Sequence, residues 1–243
     1  MILSLDCSTL TLSLALLRAD GTLVEYRLVG PPQRQSEVLP GEIEKLLTAH
    51  GFTLQDVTGF VVGLGPGSFT GLRIGLATIK GLAYALKVPI VGASSLAALA
   101  VEGPRETELF ATAVVKKGEF YVRRVAPHPG PLPAAQGEGE RSMTLAELAD
   151  ALKAAPAARM IGPALTDWRA PLEALGVPAA SFLAGPLVPS AVALATLVTM
   201  PAAYDAQALF ALEPHYLRGS GAEENPKFPP LPGVEPKARL KED

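Results

Sequence analysis

The hydrophobic pattern of the chain changes period several times within its first hundred residues. Ile2 to Asp6, Leu12 to Leu17 and Leu23 to Val29 are short apolar runs of strand length. Ala19-Asp20-Gly21-Thr22, between the second and third runs, is a hairpin signal. Three strands joined by tight turns predict an antiparallel meander. Leu39, Ile43, Leu46 and Leu47 then form one stripe at helical spacing, behind Ser36 as a candidate cap. His50-Gly51 marks the end of that helix, with glycine suited to a left-handed cap and histidine to the helix dipole. Further on, the pattern predicts a strand over 57–63, a helix over 70–86 and a strand over 89–91. A helix capped by Ser94 or Ser95 follows.

The order β-β-β-α-β-α-β-α is that of one half of an actin/Hsp70/sugar-kinase-like domain. A weaker second pass follows it. Residues 109–115 and 119–125 read as a hairpin around Lys117-Gly118, and Thr144-Leu-Ala-Glu147 is a capping-box pattern. A short strand over 159–162 and helices over 166–175 and 190–199 complete it. The expected organisation is an N-terminal lobe over 1–104, a degenerate C-terminal lobe over 105–218 and a disordered tail over 219–243. Residues 127–141, PHPGPLPAAQGEGER, read as a disordered loop insertion, because this composition has nothing to bury.

Composition narrows the chemistry. The chain has 243 residues, 49% of them hydrophobic, and a formal net charge of −3. Such a balance gives no global attraction for phosphate backbones, so any nucleic-acid contact is local or supplied by a partner. Cys7 is the one cysteine, which excludes an internal disulfide and a cysteine-cluster metal site. His50, His128 and His215 are far apart and in no ligand spacing. No apolar run is long enough to span a bilayer, and a soluble cytoplasmic protein is expected.

The most conspicuous stretch is GLGPGSFTGLRIG, residues 63–75. It follows a predicted strand and opens a predicted helix, as a phosphate-binding loop does. A P-loop, however, needs Gly-Lys-Ser/Thr, which is absent, and Gly63, Gly65 and Gly67 do not match G-x-G-x-x-G. The physical reading is a tight strand-to-helix crossing, in which Pro66 fixes one dihedral and Ser68 or Thr70 caps the helix. An anion held by the loop N–H groups is the alternative. The small basic group Lys116, Lys117, Arg123 and Arg124 reads as a solvated edge.

GPGSFTGLRIG, together with the N-terminal LSLDCST and the late EPHYLR, resembles the TsaB (YeaZ) family of tRNA threonylcarbamoyladenosine biosynthesis proteins. The resemblance is strong over residues 1–104 and weak beyond. It implies an α/β protein of the ASKHA (actin/Hsp70/sugar-kinase-like, ribonuclease H-like) fold, with two lobes. It also implies a non-catalytic dimerisation subunit. Its partner would be a TsaD-like transferase, joined by a TsaE-like ATPase, and tRNA would be met only through the complex. A homodimer is a state open to the chain alone. Asp6, Ser8 and Thr9 would be a vestigial phosphate loop. The second acidic loop expected of a kinase relative is Val115-Lys116-Lys117 here, so Mg²⁺ lacks a facing carboxylate. Catalytic relatives carry an HxxxH pair where this chain has Gln35-Ser36-Glu37. No metal and no cofactor of its own is expected, and any ATP or ADP would sit at the interface of the complex. The alternatives are a free-standing ATP-dependent sugar-kinase-like enzyme and a glycoprotease-like metallopeptidase.

The resemblance also implies where the partner docks. On the helix over 70–86, Leu72, Leu76, Ile79, Ala83 and Leu86 make a bulky side, suited to covering a sheet. Gly71, Gly75, Thr78, Leu82 and Ala85 make a small-residue side. That side, with Leu39, Ile43 and Leu46 of the preceding helix, is the expected partner interface; burial of both sides within the chain is the alternative reading.

Overall fold

The computed structural model describes residues 1–30, 35–128, 139–185 and 188–215. Strands β1 (Ile2–Asp6), β2 (Leu12–Leu17) and β3 (Leu23–Val29) form the expected antiparallel meander. The β2–β3 turn closes through Arg18 N–H to Thr22 O at 2.8 Å, with Gly21 at φ +86°. Strands β4 (Gly59–Gly63) and β5 (Ile90–Ala93) add in parallel beside β1, giving the order β3-β2-β1-β4-β5. Helices α1 (Gln35–Thr48) and α2 (Phe69–Leu86) cover one face of this sheet. Between them and the sheet lie Leu3, Leu5, Leu14, Phe60 and Ile79, all fully buried.

The second sheet is built on the same plan. Strands β6 (Leu109–Lys116), β7 (Glu119–Val125) and β8 (Arg141–Thr144) are an antiparallel meander, and β9 (Arg159–Ile161) joins β6 in parallel. Its order, β8-β7-β6-β9, repeats the first four places of the first sheet. The fifth place shrinks to one parallel bridge between Met160 and Phe182. This is the ASKHA, ribonuclease H-like fold with a degenerate second lobe. Helix α3 (Ser95–Val101) and helix α6 (Ala191–Thr196) pack between the sheets, with Leu96, Leu99 and Leu194 fully buried. Helices α4 (Leu145–Ala154) and α5 (Leu165–Ala174) cover the far face of the second sheet through Leu148, Leu152 and Leu172. Helix α7 (Ala206–Ala211) returns to pack on α2.

Several local readings hold. Thr144 and Glu147 form the capping box of α4, and Gly51 takes φ +73° after α1. Others change. Helix α1 already contains Ser36, so that residue does not precede it. Ser94, not Ser95, caps α3, by accepting from the N–H of Ala97 at 3.0 Å. The N-cap of α2 is Ser68, not Thr70. His50 is held by Glu25 Oε2 at 2.5 Å.

The reading of 127–141 as a disordered insertion fails at its end. Arg141 opens β8, and Glu140 is nearly buried beside Arg123 and Ser94. Residues 129–138 and the tail over 219–243 lie outside the described residues. The basic group is solvated only in part: Lys116 and Lys117 are exposed at the hairpin, and the two arginines are engaged. β7 is an inner strand, Arg123 is buried on Glu140, and Arg124 pairs with Glu108.

Candidate functional site

The glycine-rich loop, the turn after β1 and the start of α3 are locked together around Asp6. Its side chain is fully buried. Oδ1 accepts from the Ser8 N–H at 2.8 Å and the Ser8 hydroxyl at 2.5 Å, while Oδ2 accepts from the Ser95 hydroxyl at 2.5 Å. Ser95 Oγ in turn accepts from Gly65 N–H at 3.1 Å. Burial pushes the Asp6 carboxyl above its ordinary range, against the pull of the two serines. Thr9 turns away: its hydroxyl donates to Thr11 O at 2.8 Å.

The glycines serve this junction by close approach. A Cβ on Gly67 would lie 2.3 Å from Ser8 O, and Gly65 adopts φ +90°. Five of the loop's N–H groups are directed to acceptors within the chain. Those of Leu64, Gly65, Ser68, Gly71 and Leu72 go to Ala93 O, Ser95 Oγ, Ser8 O, Ser68 Oγ and Ser68 O respectively. A phosphate cradle needs such donors aimed at a ligand. Here they tie a strand, a turn and two helices into one junction. In the turn of Asp6, Ser8 and Thr9 the Asp6 carboxylate is bonded within the chain, to Ser8 and Ser95.

The expected partner residues divide differently from the reading of the sequence. Leu39, Ile43 and Leu46 are 0–3% exposed and belong to the core beneath α1, so they are not offered to a partner. Gly71 and Gly75 are buried too. A Cβ on Gly75 would meet Cys7 Sγ at 2.8 Å and Leu5 Cδ1 at 3.3 Å, so α2 packs tightly over the end of β1 there. Thr78 and Leu82 are half-buried, and Ala85 is exposed. The outward face of α2 runs through Thr70, Arg73, Ala77, Gly81, Tyr84 and Ala85. It is again a small-residue surface, displaced around the helix from the expected one. Gly81 has open space where a Cβ would be. At the end of the helix, Phe210 of α7 stacks against Tyr84 with ring centroids 5.9 Å apart, and Phe210 is 63% exposed. Ala77, Gly81 and Phe210 were missed; the wheel alone carried a signal for the first two, once the sheet-facing direction was known.

Among the described residues no three His, Cys, Asp or Glu side chains are grouped to hold a metal ion. Among them, too, no helix is long and apolar enough to cross a membrane.

Comparisons place this geometry. A family model described as TsaD, tRNA N6-adenosine threonylcarbamoyltransferase, matches residues 32–115, from before α1 to β6. The tRNA threonylcarbamoyladenosine biosynthesis protein TsaB of Escherichia coli (strain K12) is 35% identical over 49% of this chain and 52% of its own length. TsaB of Bacillus subtilis (strain 168) is 40% identical over 42% of this chain and 44% of its own. A solved structure, described as an uncharacterized protein with similarity to peptidase YEAZ from Pseudomonas aeruginosa, superimposes with a TM-score of 0.71. It is 27% identical and covers 89% of this chain and 99% of that one. The chain is similar to the TsaB (YeaZ) proteins in sequence over its first lobe and in fold over both sheets. The sequence matches span about half the length, or less, of these curated TsaB relatives. The structural match, in contrast, runs through both sheets. The family likeness thus reaches the second lobe through its fold more than through its sequence.

Proposed function

We propose that this chain is a TsaB-type protein, a non-catalytic subunit in the threonylcarbamoylation of the adenosine 3′ of the anticodon (t6A) in tRNAs reading ANN codons. Its partner is a TsaD-type transferase, which it activates by dimerising with it; a TsaE-like ATPase joins the complex, and tRNA is met through the complex. The curated relatives are named for tRNA threonylcarbamoyladenosine biosynthesis, which supports the pathway.

The observation that carries the subunit role is the outer face of α2. An ordinary surface helix is polar on the side away from its core. This one shows Ala77, Gly81, Tyr84 and Ala85 to solvent beside Thr70 and Arg73 at its N-terminal end, with half-buried Ile74, Thr78, Lys80 and Leu82 at the margins. Small residues let a second helix approach closely, and apolar margins reward it by burial at about 25 cal/mol per Å². The α1–α2 region also lies within the stretch matched by the TsaD family model. Two chains of one ancestry can present the same helix to each other across a pseudo-symmetric seam. Asp6, the residue best placed for phosphate chemistry, has its carboxylate bonded to Ser8 and Ser95.

Gly81→Arg tests the reading. The variant should fold as the parent does, since nothing lies within 4 Å of the site, and should lose the TsaD-type protein in gel filtration. A folded Gly81→Arg chain that still co-elutes with the transferase at parental affinity would sink the docking face.

A further inference from the structure

Glu140 stands where three separate parts of the chain meet. It lines a cleft of about 340 Å³ between the two sheets, with Leu64, Ser94, Arg123 and His215 among its neighbours in the wall. Its side chain is only 8% exposed. Oε1 accepts from Arg123 on β7 at 3.1 Å and from the hydroxyl of Ser94, the cap of α3. Oε2 lies 4.0 Å from the imidazole Nδ1 of His215. Arg123 and His215 are the other charged or titratable side chains in the cleft wall.

His215 closes a strap. Its backbone N–H donates to Leu64 O at 2.8 Å, at the head of the glycine-rich loop. Behind it runs α7, a helix of six residues in which Leu209 is the buried side chain. A helix this short does not hold itself together in water, so its order comes from its attachments. At one end Asp205 caps it, accepting from the N–H groups of Gln207 and Ala208 at 2.7 and 3.2 Å. Along its length Lys80 Nζ donates to Phe210 O at 3.1 Å, and Tyr84 meets the Phe210 ring. The other end is tied down at His215.

We propose that Glu140 is the pin of a clasp: through Arg123 and Ser94 it is fixed to both lobes, and through His215 it holds the strap of residues 206–215 along the flank of α2. Because the strap carries Phe210 to the edge of the outer α2 face, the clasp sets the shape of that edge, a consequence that rests on the docking role proposed above. Closed, it presents Tyr84 and Phe210 as one aromatic corner. Released at His215, α7 loses one of its attachments and the corner loosens.

Hydrogen exchange on the full chain tests this without a partner. Glu140→Gln keeps the shape of the side chain and removes the charge that faces His215. It should speed exchange of the His215 and Leu209 amides at least tenfold, while β1, β4 and β6 exchange as before. His215→Ala, which leaves Arg123 and Ser94 on Glu140, should speed the same strap amides. It decides the matter alone if Glu140→Gln does not fold. Unchanged strap exchange in the folded variants overturns the clasp. So does a uniform rise over both sheets in Glu140→Gln, which would make Glu140 an ordinary core ion pair. The docking role is read separately by Gly81→Arg, so failure of one is distinguishable from failure of the other.

Discussion

The carboxylate of Asp6 occupies the space that a side chain on Gly63 would need: a Cβ at position 63 would lie 2.0 Å from Asp6 Oδ2 and 3.0 Å from Ser95 Oγ. Glycine at the end of β4 is thus the counterpart of a buried acid at the end of β1. Neither neighbour can retreat, since both belong to the network that closes the glycine-rich loop. Gly63→Ala should cost about 3 kcal/mol, the upper range for overpacking a close-packed interior. Urea denaturation followed by circular dichroism measures it, and a loss under about 0.5 kcal/mol would show that the junction yields.

Core and docking surface are separable by substitution on neighbouring helices. Ile43 of α1 is 3% exposed within the first core. Ile43→Ala should cost about 2–5 kcal/mol through lost burial and a residual cavity. It should leave partner binding unchanged at temperatures where the variant is folded. Isothermal titration with the transferase, paired with thermal melts, would expose the opposite pattern, a stable variant that no longer binds.

The contrast between Ile43 and Gly81 also marks how far the sequence could be read. The meander of the first lobe, the capping box of Thr144 and the long helix α2 each carry a local signal, a period or a cap, and each is in the structure. The four residues of β8 carry none. Arg-Ser-Met-Thr has one apolar position, Met143, and becomes a strand by pairing with Phe120 on β7. Glu140 carries no local signal either, since it lies within a proline- and glycine-rich run and its place between Arg123 and Ser94 is fixed by tertiary contacts. The face of α2 was legible as small residues but not as a direction. Gly75 is small because Cys7 and Leu5 press against the helix, whereas Ala77 and Gly81 are small on the open side. A helical wheel holds both stripes and does not say which one the sheet takes.

Cys7 gives a direct probe of that inner contact. It is 1% exposed under Gly75, and burial, with the negative charge of Asp6 beside it, pushes its thiol well up from the ordinary range. A thiol that is both buried and undissociated is inert to disulfide reagents. Native protein at pH 8 should therefore leave Ellman's reagent uncoloured over the time in which an unfolded sample releases one equivalent. Gly75→Ala, which presses on Cys7 Sγ, should shorten that time by loosening the site. Prompt labelling of the native parent would place Cys7 at the surface and contradict the packing of α2 on β1.

Asp6 makes a prediction about pH whose sign follows from its burial. Its native carboxyl is raised above the ordinary value of 3.8, first by desolvation, with the hydrogen bonds from Ser8 and Ser95 opposing. Between 3.8 and that raised value the native chain holds a proton that the unfolded chain has released. Unfolding there liberates a proton, so the contribution of Asp6 to stability is full below 3.8, falls as pH rises through the window and is flat above it. Other acids of the chain, such as Asp56 and Glu147, are shifted downward by their hydrogen bonds and add stability as pH rises, so the total curve mixes both signs. Asp6→Asn isolates the term. Its amide oxygen can keep the Ser8 donors, and the Ser95 hydroxyl can turn to meet the amide N–H. Whatever this exchange does to absolute stability, the parent should lose ground to the variant as pH is raised from about 4, which is where an unfolded aspartate gives up its proton. Urea midpoints of the two proteins at half-unit steps from pH 3 to pH 8 give the difference curve. A curve that stays flat throughout, or that favours the parent as pH rises, would mean that Asp6 is held as a comfortable anion. The three hydrogen bonds would then outweigh the cost of taking its charge out of water.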